Sequence, residues 1–126
     1  DRQPGAARIV TGLLNEIGTS WQGTPYAKFG AGFSAYEHRR EPGDESIEDI
    51  AARMTEVVAR ARARHPGATI VGVSHGDPIT ILRMALAGRP LTVAGLRGAE
   101  FVGLGSVTEI VYSTDEERPR VATLRL

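Results

Sequence analysis

The residues best suited to chemistry stand in one stretch, Ile70-Val71-Gly72-Val73-Ser74-His75-Gly76-Asp77-Pro78-Ile79. Its segment G-V-S-H-G satisfies G-x-S-x-G, the pattern of a serine nucleophile elbow at a strand-to-helix turn. The same residues put His75 at that turn. An imidazole there can donate hydrogen bonds to a phosphoryl oxygen when charged, or accept a proton when neutral. A serine elbow needs a histidine base later in the chain. The histidines are His38, His65 and His75. None follows the elbow, and His75 is adjacent to the serine and would point the other way. A serine hydrolase is therefore the distant alternative. For His75 the plain alternative is a satisfied, partly buried histidine at a strand end. Three neighbours favour chemistry: Gly76 permits close backbone approach, Asp77-Pro78 fixes a helix start, and an acidic segment lies upstream.

Several elements must position this turn. Residues 69–73, Thr-Ile-Val-Gly-Val, form a short β-branched run of the kind buried on both faces of a parallel sheet. Asp77 as N-cap and Pro78 at the first position restart a helix that carries Ile79, Ile81, Leu82, Ala85 and Leu86. A side chain at the carboxyl end of a parallel strand, beside a helix N-terminus, sits where α/β folds bind ligands, and the N–H groups there favour an anion. Upstream, Ser46 and Asp49 form an S-x-x-D cap. Ile47, Ile50, Met54, Val57, Val58 and Ala61 follow at helical spacing, and His65-Pro66-Gly67 ends the helix.

The remaining segments read more coarsely. Residues 6–10 read as the end of a helix stopped near Gly12. Residues 18–23 are an irregular loop. Thr24-Pro25 starts a short helix carrying Tyr26, Phe29, Phe33 and Tyr36, and residues 37–44 form a polar loop. Residues 91–105 are punctuated by glycine and give no clear element. Residues 106–112 and 120–126 read as two final strands joined by a turn. The order of helix, parallel-type strand, helix and strands is α/β.

Composition narrows the function classes. A chain of 126 residues is the size of one domain. Its formal net charge is zero, so no global field points to nucleic acid or an acidic membrane surface. Cysteine is absent, which excludes disulfides and thiolate metal sites and fits a cytoplasmic protein. The apolar runs are too short to span a bilayer as a helix. Residues 69–73 read as a central strand with few others to pair with, so part of the domain is expected to lie outside the chain and the uncovered edge favours a homo-oligomer.

Three segments together resemble a known family. "VGVSHGDPI" is similar to the second histidine motif of the histidine phosphatase superfamily, the phosphoglycerate mutase-like fold. "PGDESIEDIAARM", residues 42–54, resembles that family's G-E-S segment, and "LLNEIGTSWQG", residues 13–23, its acid-base segment. The resemblance implies a three-layer α/β fold with a mostly parallel sheet, incomplete here at the N-terminus, with residues 1–126 as the C-terminal part of a single domain. It implies phosphomonoester hydrolysis through a phosphohistidine, with a phosphorylated small molecule as substrate and neither metal nor diffusible cofactor.

His75 then matches the histidine that hydrogen-bonds the transferring phosphoryl oxygens, and Glu16 the glutamate that protonates the leaving oxygen and later activates water. Ser74 and Gly76 would line the substrate. The plain alternative for Glu16 is a solvated carboxylate at a strand end. The chain departs from the family in lacking the R-H-G nucleophile motif: Arg64-His65-Pro66 lacks the glycine and closes a helix. Ile17 stands where mutases carry arginine, which favours a phosphatase. A different class, a non-catalytic relative that binds phosphorylated ligands or a partner protein, is the alternative. Trp21 reads as a packing anchor. His38-Arg39-Arg40 reads as a solvated charge run, with contact to an anionic substrate as its functional alternative.

Overall fold

Ser46 accepts a hydrogen bond from the Asp49 N–H at 3.0 Å, and Asp49 accepts one from the Ser46 N–H at 2.8 Å. This reciprocal box satisfies two N–H groups that a helix start leaves unpaired. It opens α1, Ile47–Arg64, which His65 closes. In this computed structural model, which describes residues 5–114 and 118–124, α1 is followed by α2 (Gly76–Leu86) and α3 (Val93–Arg97), then by β1 (Val107–Val111) and β2 (Arg120–Leu124). Two single 3-10 turns precede them, Gly12–Leu14 and Tyr26–Lys28.

The apolar stripes of α1 and α2 face each other. Ile47, Ile50, Ala51 and Met54 from α1 bury against Ile81 and Leu82 from α2. Ile50 and Ile81 retain no exposed surface. Burial of such side chains contributes about 2 kcal/mol each. Leu14, Ile17 and Tyr36 pack on this core from the N-terminal loops, and Ile110 packs on it from β1. The core therefore seats the chain on either side of Glu16.

Strands β1 and β2 pair antiparallel, with Val107 opposite Leu124 and Val111 opposite Arg120. They match the two final strands read from the sequence, except that Arg125 and Leu126 lie outside the described residues, as does much of the turn between the strands.

Other expectations are corrected. Residues 69–73 form no strand. Val71 is 85% exposed and Val73 83%, so neither is buried between layers. A strand exists through its ladder, and among the described residues nothing pairs with this one. The only sheet among the described residues is the two-stranded antiparallel pair, so neither a parallel sheet nor three layers is present there. Residues 6–10 are not helical and are exposed. The segment from Thr24 makes one 3-10 turn, with Pro25 rather than Thr24 at its N-cap and no side-chain cap bond. Helix α2 starts two residues earlier than Pro78 suggested, with His75 as its N-cap. Pro78 is tolerated because the N–H groups of a first turn have no intrahelical acceptor. Residues 91–105 hide α3, capped by the Thr92 hydroxyl accepting from the Gly95 N–H at 3.0 Å.

Candidate functional site

His75 precedes α2 in extended backbone, and its side chain makes no capping bond. The imidazole is left beside the helix start, where the macrodipole favours an anion. At Gly76 the backbone is approached closely by the exposed ring of Phe101, which would have to shift to admit a Cβ there. The close approach expected at Gly76 is thus made by Phe101 of this chain.

Glu16 arrives from a segment far earlier in the sequence. The 3-10 turn Gly12–Leu14 is capped by Thr11, whose hydroxyl accepts from the Leu13 N–H at 3.2 Å. Glu16 Oε1 accepts from the Ile17 N–H at 3.1 Å. Its Oε2 lies 3.8 Å from His75 Nδ1, with both side chains about half exposed. The two candidate catalytic residues are therefore brought together, one carboxylate oxygen held by backbone and the other facing the imidazole. Such a pair can hold an anion on the imidazolium while the carboxyl gives or takes a proton.

Ser74 is adjacent, with a different task. Its hydroxyl donates to the Leu14 carbonyl at 2.7 Å, tying the His75 turn to the segment leading into Glu16. No non-glycine residue among those described has a positive φ. Ser74 thus lacks the backbone strain of a nucleophile elbow and faces no histidine base.

Further residues around this pair carry no catalytic role in the sequence: Glu45 reads there as helix-capping with an indirect role near the site, and Tyr36 as core or lid. Arg53 of α1 donates to the Leu13 carbonyl at 2.8 Å, to the Glu16 carbonyl at 3.2 Å, and to Glu45 at 2.7 and 3.1 Å. Glu45 also accepts from the Gly18 N–H at 2.7 Å. Burial works against ionisation of Glu45, but the Arg53 hydrogen bond, the Gly18 N–H and the Arg53 charge outweigh it and lower its pKa. Tyr36 donates to Asp77 at 2.7 Å, linking the loop after Phe33 to α2. Burial, the bond to Asp77 and the nearby charges of Asp77, Glu16 and Glu45 push the phenol pKa upward, so Tyr36 stays a donor.

Asp44, almost fully buried, knots the loop above. It accepts from the Ser20 hydroxyl at 2.7 Å and from the N–H groups of Ser20, Arg40 and Glu41. Its burial opposes the charge, but these bonds win and bring its pKa down to about 2. The run His38-Arg39-Arg40 serves this loop too. Arg39 donates to the Asp44 carbonyl, and Arg40 donates to the Ser20 carbonyl and stacks over Trp21. Trp21 packs edge-on against Phe29 and Phe33 and donates to the His38 carbonyl. It is the packing anchor its sequence context suggested.

Among the described residues, no three histidine or acidic side chains cluster closely enough to hold a metal ion. A depression of about 370 Å³ is lined by Arg83, Glu100, Phe101 and neighbours, but neither His75 nor Glu16 borders it. No described helix is long and apolar enough to cross a membrane.

The sequence model of the histidine phosphatase superfamily (branch 1) matches residues 9–125. The chain belongs to that superfamily. It is also similar to uncharacterized protein Rv0525 of Mycobacterium tuberculosis strain H37Rv and to uncharacterized protein MT0547 of strain CDC 1551. Each is 42% identical over 71 residues, which is 56% of this chain and 34% of the relative. The matched stretch thus spans about a third of the relatives' length. No solved structure matches the chain.

Proposed function

We propose that this chain forms one side of the active site of a phosphomonoesterase working through a phosphohistidine. The observation that carries the reading is the approach of Glu16 Oε2 to His75 Nδ1 at 3.8 Å, between residues far apart in sequence that both lie within the family match. In the first step a histidine nitrogen attacks phosphorus and the P–O ester bond breaks. Glu16, as the acid, gives its proton to the leaving oxygen and releases the alcohol. In the second step the Glu16 carboxylate takes a proton from water, whose oxygen attacks phosphorus. The P–N bond breaks and phosphate leaves. His75 donates to the phosphoryl oxygens, a preorganised charge aimed at the transition state. The sequence contains no R-H-G, so in this reading another segment of the whole protein supplies the attacking imidazole.

The experiment is to incubate the intact gene product with a radiolabelled phosphomonoester, quench it in base, and analyse the protein. An acid-labile, base-stable phosphoryl group together with turnover is the expected result. Binding of inorganic phosphate with no turnover and no phosphoenzyme would favour the non-catalytic relative.

A further inference from the structure

We propose that Arg53, held by Glu45, is the positioning residue that sets Glu16 against His75. The inference rests on Glu16 as the proton donor and adds what aims it. The guanidinium binds the chain before Glu16, at the Leu13 carbonyl, and the carbonyl of Glu16 itself. Its partner Glu45 binds the chain after Glu16, at the Gly18 N–H. Four residues of backbone are therefore fixed at both ends by one ion pair. Ser74 holds the same segment at Leu14, from the His75 side. The Arg53 side chain is only 12% exposed and Glu45 23%, so the pair is shielded from most solvent competition.

The geometry is specific to arginine. A planar guanidinium presents several donors in a rigid fork, which lets one side chain meet a carboxylate and two carbonyls together. Lysine keeps the charge and loses the fork. Both partners are fixed by α1: Arg53 lies within it, and Glu45 directly precedes its capping box. Glu16 itself is about half exposed, so little besides its backbone restrains it.

The test compares two substrates on the intact gene product. A general acid matters for an alkyl phosphate, whose alkoxide leaves poorly, and little for 2,4-dinitrophenyl phosphate, whose phenolate leaves unaided. Glu16→Gln sets the reference: kcat/KM falls by about 100-fold or more on the alkyl phosphate and only a few-fold on the aryl one. Arg53→Gln is expected to follow that pattern, with a loss of roughly tenfold to 100-fold confined to the alkyl substrate. Arg53→Lys should fall between wild type and Arg53→Gln, and the surface variant Arg60→Gln should match wild type on both substrates. Equal loss on both substrates, or none, would overturn the proposal. If Glu16→Gln shows no leaving-group dependence, or the wild type no turnover, the functional reading has failed instead. The Ile17 and Gly18 amide resonances then decide the clamp, since their shifting in Arg53→Lys supports it and their staying fixed overturns it.

Discussion

At the scale of single residues, the account turns on what each polar group is already bonded to. The Ser74 hydroxyl donates its hydrogen bond to the Leu14 carbonyl, whereas His75 makes no capping bond and faces Glu16. Asp44 carries a separate prediction. Its folded pKa, held down to about 2, is below the ordinary carboxylate value of about 4. Its ionised form therefore stabilises the fold above about pH 4, and this contribution is lost as pH falls towards about 2. Urea unfolding of wild type and Asp44→Asn across this range should show a stability gap that closes with falling pH. A gap independent of pH would contradict the hydrogen-bonded carboxylate. The sequence made His75 legible through its turn, and Glu16 only through likeness to a family segment. Arg53 and Tyr36 were silent, because their partners lie far along the chain and no local spacing announces them.

At the scale of elements, local chemistry decided what could be read. Helix α1 was legible at both ends because its cap and its stop are both local signals, the Ser46–Asp49 box and His65-Pro66-Gly67. The final strands were legible because β1 and β2 satisfy each other. Residues 69–73 look like a strand in composition, yet pairing is a long-range property, and no backbone hydrogen bond reaches them among the described residues. Hydrogen exchange measures this directly. In the isolated chain the amides of residues 70–73 should exchange orders of magnitude faster than those of residues 51–58 in α1. Slow exchange at 70–73 would show that the segment is paired after all. Helix α3 was missed because Gly95 interrupts its five residues and Gly98 directly follows them, and its cap, Thr92, stands in a segment without apolar periodicity.

At the scale of the whole molecule, one core formed by α1 and α2 seats both halves of the site. Leu14 and Ile17 rest on it beside Glu16, and the buried residues of α2 root the helix that His75 precedes. The family match across residues 9–125 includes both of these segments. The mixture of helices with two final strands was legible from the sequence, while the sheet architecture was not, since the described strands form only an antiparallel pair. The central claim is that His75 stabilises phosphoryl transfer. The most direct measurement is kcat/KM of the intact gene product on a phosphomonoester, for wild type and His75→Ala. The account predicts a fall of about 100-fold to 1,000-fold, the usual cost of removing one preorganised transition-state donor. Undiminished turnover by His75→Ala would contradict it.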